Sequence, residues 1–165
     1  MNIIEQAKLK EILIYQPETG EFFWRKTLSK AGCRITRPDG RKYWTIIYDG
    51  RHYAAHNLAW IYMMGSPPIH EIDHKNRDGS NNKWTNLRPA TRGQNQANTR
   101  LYKNNSSGFR GVSRTGYSSK SKKPFRALIK FNGRKKHIGY FATAEEAYVA
   151  WKQVAVAVHG EFANV

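Results

Sequence analysis

The sequence predicts an α+β chain in two parts, and three observations carry that prediction. Segments rich in aromatic and β-branched residues meet at Asp49-Gly50 and again at Asn132-Gly133, dipeptides that accept the positive backbone angles of a two-residue hairpin turn. The last of these segments is followed by a helix with its own start and stop. Thr143 and Glu146 make a capping box, Ala147, Ala150, Trp151, Val154 and Val158 recur at helical spacing, and Gly160 ends the run. Between the two parts the chain turns small and polar, 103-KNNSSGF-109, the composition of a short linker. The expected division is therefore residues 1–102 and 103–165, with no internal repeat.

In order along the chain, the first part opens amphipathically (Ile3, Ile4, Ala7, Leu9, Ile12, Leu13) and runs into 15-YQPETGEFFWR-25, where Pro-Glu-Thr-Gly reads as a turn into a strand. A second hairpin, 43-YWTIIYDGRHYAA-55, leads to a helix, 54-AAHNLAWIYMMG-65, closed by Gly65 and Pro67-Pro68. His56 lies on that helix among apolar neighbours and reads as a structural histidine. Next, 71-EIDHK-75 and 85-TNLRPATRGQNQAN-98 read as strand, loop, strand, helix, with Thr91 capping a short helix through Asn98. In the second part, 109-FRGVSR-114, 124-PFRALIKF-131 and 134-RKKHIGYF-141 read as three strands ahead of the capped helix.

Charge narrows the partners. A formal net charge of +16 on 165 residues, with a pI near 10.1, calls for a polyanion. The aromatic and hydrophobic content is too high for a disordered basic tail, so the charge is carried on folded structure. No apolar run approaches the roughly 18 residues of a membrane span, and the N-terminus mixes charge into its apolar positions, so a soluble cytoplasmic chain with no membrane partner is expected. Cys33, the single cysteine, cannot form an intramolecular disulfide and reads as a buried thiol.

Two stretches carry chemistry. Asp73 and His74 stand side by side, with Asn86 twelve and Asn95 twenty-one residues beyond His74. Carboxylate and amide oxygens suit Mg²⁺, and a neutral imidazole beside them can take a proton from water near pH 7. Each residue alone is commonplace in a turn-rich loop; the combination suits phosphodiester hydrolysis. Since neighbours on a strand point to opposite faces, Asp73 and His74 can serve one site only if the backbone bends or the substrate straddles it. In the C-terminal part, Phe125, Ala127, Ile129 and Phe131 share one strand face, while Arg126, Leu128 and Lys130 share the other. Lys135, His137, Arg110 and Arg114 are expected on the same open face. With 12 Lys and Arg against 3 Asp and Glu, residues 101–165 hold a local +9, and a basic sheet of this kind can enter the DNA major groove.

Asp73-His74, Asn86-Leu87-Arg88 and Thr91 to Asn95 together resemble the HNH nucleases, in the Asn-rich variant of phage-encoded homing endonucleases. The resemblance implies a ββα-metal core at about residues 69–99. By it His74 is the general base, Asp73 and Asn95 bind one divalent metal, Mg²⁺ or Mn²⁺, with the scissile phosphate, Asn86 braces the loop between the strands, and Arg88 approaches the phosphate. The paired CxxC motifs of zinc-stabilised relatives are absent, so no zinc is expected. A single active site implies a monomer that nicks one strand of duplex DNA.

The C-terminal part resembles the apetala-two/ethylene-response-factor DNA-binding domain, through 110-RGVSR-114, 126-RALIKFNGRKKHIGYF-141 and 143-TAEEA-147. That resemblance nominates Arg110, Arg126, Leu128, Lys130, Lys135 and His137, with Arg114 nearby, for DNA contact. Leu128 replaces an acidic residue of the plant pattern and His137 a tryptophan, so the plant domains' base preference does not carry over. The competing readings are a non-catalytic sequence-specific DNA-binding regulator and, fitting the charge but not the pairing of the two parts, an RNA-binding protein.

Overall fold

Helix α1 (Gln6–Ile12) stops where Leu13 turns extended at φ −126°, and β1 (Leu13–Gln16) follows without a loop. β1 pairs antiparallel with β2 (Glu21–Trp24), placing Leu13, Tyr15 and Phe22 in the core. The computed structural model describes residues 4–101, 104–116 and 121–165; Ile3 of the expected amphipathic start lies outside them. β3 (Cys33–Thr36), β4 (Lys42–Tyr48) and β5 (Arg51–Ala54) form an antiparallel sheet in that order. Asp49 and Gly50 take φ +50° and +66°, the left-handed pair that closes the expected hairpin. The strand β3 escaped the sequence reading because none of its four residues is covered, so no burial alternation marks it. For the same reason Cys33 is exposed, not the buried thiol that was expected.

Helix α2 (Ala55–Met64) buries Ala55, Leu58, Ala59 and Ile61 and ends at Gly65, whose φ of +82° and N–H bond to the Ile61 carbonyl make the left-handed cap. β6 (Glu71–His74) and β7 (Leu87–Ala90) then pair antiparallel, with Asp73 opposite Arg88 and His74 opposite Leu87. Ile72 and Leu87 join the core under α1 and α2. The mixture of helices with several antiparallel sheets is an α+β fold, as expected.

The chain divides into two compact units, Met1–Thr91 and Arg92–Val165. The division expected at residues 102/103 falls on Tyr102 and Lys103, outside the described residues. The second unit begins with the short helix α3 (Arg92–Ala97) and continues through β8 (Val112–Arg114), β9 (Phe125–Phe131) and β10 (Arg134–Phe141), an antiparallel sheet ordered β10-β9-β8. α4 (Ala144–His159) packs on one sheet face around Val112, Ala127, Ile129, Ala147, Trp151 and Ala155. Its cap is made as expected by Thr143 Oγ1, which accepts from the Glu146 N–H at 3.1 Å, while Glu146 reaches back to the N–H of Ala142. Gly111, at φ +71°, leaves no room for a side chain: a Cβ there would lie 2.1 Å from Trp151 Nε1. No helix of the described residues is long and apolar enough to cross a membrane.

Candidate functional site

In the first unit the strand pair β6–β7 brings Asp73 and His74 out of solvent, at 5% and 6% exposure. Neither takes a left-handed φ; the nearest residue that does is Arg77, in the turn beyond β6. Register settles which way they face. Asp73 shares a face with its partner Arg88, and His74 lies on the other with Leu87. Arg88 Nε and Nη2 both donate to Asp73 Oδ2, each at 2.9 Å. Arg88, expected at a phosphate, is instead 8% exposed and committed to the carboxylate, because the two residues are cross-strand neighbours on a covered face.

His74 is oriented by a residue that the spacing argument passed over. Its Nε2 lies 3.1 Å from Oδ1 of Asn82, itself 1% exposed. Asn82 Nδ2 donates to the Ser80 carbonyl at 3.3 Å, which sets the amide with its oxygen toward the imidazole. An amide oxygen only accepts, so the proton of a neutral His74 sits on Nε2 and Nδ1 is the basic nitrogen. Burial pulls His74 below the usual histidine range, against the opposing pull of the Asn82 hydrogen bond and the Asp73 charge. At pH 7 the base form dominates.

The N-terminal hairpin holds Asn82 in turn. The Tyr15 hydroxyl donates to the Asn82 carbonyl at 2.6 Å, Trp84 N–H donates to the Pro17 carbonyl at 2.9 Å, and Gly20 packs so closely that a Cβ would lie 2.3 Å from the Asn82 carbonyl carbon. Burial pushes the Tyr15 phenol up, so it stays a donor. Asn86 clasps the same loop: its Oδ1 accepts from the Asn76 N–H at 3.0 Å, and its Nδ2 donates to Asn76 Oδ1 and the Asn81 carbonyl at 3.0 and 2.7 Å. The Asn81-Asn82 doublet could have drawn notice in the sequence, but nothing in its spacing says which asparagine faces inward.

His56 also belongs here rather than to a purely apolar scaffold. Its ring meets that of His74 edge to face, with centroids 5.1 Å apart, and Tyr43 lies 6.1 and 6.4 Å from the two. The Arg37 guanidinium lies over the Tyr43 ring at 4.6 Å. His56 Nδ1 is buried with no hydrogen-bond partner among the described residues, and burial pushes its pKa down to about 3. Its apolar neighbours in the sequence marked His56 as structural without showing what it faces.

Asn95 lies on α3 in the second unit. Asp73 and Asn95 are hard oxygen donors of the kind that suit Mg²⁺ or Mn²⁺, with Asp73 Oδ2 shared with Arg88. Among the described residues, no three His, Cys, Asp or Glu side chains cluster as a ready metal site.

The sheet of the second unit sorts its expected DNA contacts. Cross-strand pairing sets Lys130 against Lys135, Leu128 against His137, and Arg126 against both Tyr140 and Ser113. Arg126, Leu128, Lys130, Lys135 and His137 thus share the face away from the Ala127 and Ile129 core. Two expected members do not. Arg114 pairs with Phe125, whose parity is that of the core face, and Arg110 precedes β8 and donates through Nη1 to the Ala97 carbonyl at 3.2 Å and through Nη2 to the Thr99 carbonyl. Arg110 ties the end of α3 to the sheet.

Residues 53–97 match the family model described as HNH endonuclease.

The matched segment takes in α2, with His56, as well as β6, β7 and α3. No curated relative matches the chain. A solved structure described as "DNA binding and cleavage by the HNH homing endonuclease I-HmuI" is similar over 96% of this chain and 91% of that one, with 18% identity and a TM-score of 0.43.

Proposed function

We propose that the chain is a metal-dependent DNA endonuclease of the homing type that hydrolyses one phosphodiester of duplex DNA, acting as a monomer that nicks. The observation that carries the reading is the coincidence of the HNH-matched segment with an imidazole whose tautomer and orientation are set by the buried Asn82 amide. Asp73 and Asn95 would hold the divalent cation, which when bound would supply Lewis-acid stabilisation of charge at the scissile phosphate. His74 Nδ1 accepts a proton from the attacking water, while Asn82 holds Nε2–H and supports the imidazolium that forms. Asn86 keeps the loop closed around that histidine, and Arg88 holds Asp73 in place through its two hydrogen bonds. The second unit supplies duplex affinity through Arg126, Leu128, Lys130, Lys135 and His137, a role suggested by its resemblance to apetala-two domains and by its charge.

The test is nicking of supercoiled plasmid with and without Mg²⁺. His74→Ala should still bind DNA while cleaving about 10² to 10⁴ times more slowly, the usual contribution of a general base. Cleavage by His74→Ala at the wild-type rate would remove the assignment. Binding without Mg²⁺-dependent cleavage by the native chain would favour the non-catalytic regulator.

A further inference from the structure

The strand β10 does not keep its period. Pairing with β9 shifts between His137 and Gly139, so Ile138 is an extra residue and the alternation beyond it is reversed. Without the bulge, Gly139 would follow His137 onto the open face; with it, Tyr140 does. Tyr140 is 51% exposed, its ring is 4.6 Å from that of His137, and its cross-strand partner is Arg126. The open face is therefore not uniformly cationic. Lys130 and Lys135 sit at one end and Arg126 at the other, four residues or about 13 Å apart along β9. Between and beside them lies an apolar strip made of the Leu128 side chain and the His137 and Tyr140 rings.

We propose that this strip contacts thymine methyl groups on the floor of the DNA major groove while the flanking cations hold phosphates. The inference rests on the reading of this sheet as the duplex-binding face. Charge names the polymer, since none of the six residues is acidic. The separation of the cations is on the order of the major-groove width of about 12 Å, and the thymine methyl is the one apolar group that base edges present there. An exposed tyrosine held against an imidazole in a tilted ring contact offers that methyl a pre-ordered aromatic surface with few rotamers to lose. A sheet made to grip phosphates alone would have no use for it. The parity reversal at Ile138 is what brings the aromatic ring to this face.

The probes are alternating dA-dT and dA-dU duplexes of equal length, which differ in the methyl group, bound to the full chain in EDTA so that nothing is cleaved. Covering one methyl should favour dA-dT about fourfold, from the transfer free energy of a single buried carbon group. Tyr140→Ser should bring the ratio of the two dissociation constants toward one with the salt dependence unchanged, whereas Tyr140→Phe should keep the ratio. Lys130→Ala should weaken both duplexes equally and flatten the slope of log affinity against log salt by roughly 0.9. A native ratio of one, a ratio kept by Tyr140→Ser with its urea midpoint intact, or a ratio lost in Tyr140→Phe would each overturn methyl contact. If Lys130→Ala and Lys135→Ala both leave affinity and slope untouched, the face does not bind the duplex, and the underlying reading falls instead.

Discussion

Replacing Gly20 by alanine tests whether the N-terminal hairpin is part of the catalytic apparatus. Gly20 sits at φ +76°, and a Cβ there would lie 2.3 Å from both the Asn82 carbonyl carbon and the Lys83 nitrogen. Ordinary van der Waals contact begins at 3.4 Å, so the backbone carrying Asn82 must retreat by about 1 Å, and both neighbours are main chain that cannot rotate away. Gly40 is the control, with φ +81° and nothing within 4 Å of the same built atom. Both substitutions incur the left-handed cost of about 1 to 2 kcal/mol, partly offset by a stiffer unfolded chain. Gly20→Ala adds overpacking of about 1 to 3 kcal/mol. It also moves the amide that holds His74 Nε2, and a displacement of about 1 Å in a catalytic arrangement can cost on the order of 10²-fold in rate. Urea unfolding and single-turnover plasmid nicking measure the two effects. Gly40→Ala should cleave normally; Gly20→Ala should be less stable than it and cleave about 10 to 100 times more slowly. Equal stability and equal rates for the two variants would refute the coupling of hairpin to imidazole.

Arg88→Ala leaves the Asp73 carboxylate buried without its guanidinium and should cost about 3 to 5 kcal/mol in urea melts; because Arg88 is buried, the salt slope of DNA binding should not change. Asp73→Ala should abolish both cleavage and calorimetrically detected Mn²⁺ binding, while Asn95→Asp, still an oxygen donor, should retain some of each. His56 stays neutral in the folded chain to about pH 3, whereas an unfolded histidine protonates near 6.5. Its contribution is therefore complete above pH 6.5 and is lost as pH falls from there toward 3, with a limiting slope of about 1.4 kcal/mol per unit. Urea midpoints measured between pH 7.5 and 4.5 should fall more steeply for the native chain than for His56→Phe.

Local rules carried the sequence a long way. Turn chemistry placed the Asp49-Gly50 and Asn132-Gly133 hairpins, the Thr143 and Glu146 cap placed α4, and spacing singled out Asp73, His74 and Asn86, because each depends on residues close in the chain. Tertiary structure decided the rest. That Arg88 serves Asp73 follows from the β6–β7 register, and that Asn82 rather than a nearer asparagine orients His74 follows from Tyr15 and Gly20 pinning the loop from a hairpin more than 60 residues earlier. The exposure of Cys33 followed from a sheet edge with no covered face. Strict alternation carried on past His137 would put Gly139 on the basic face; a bulge costs one unpaired residue and leaves no compositional trace, yet it reverses every side chain after it and so decides that Tyr140 lies there instead.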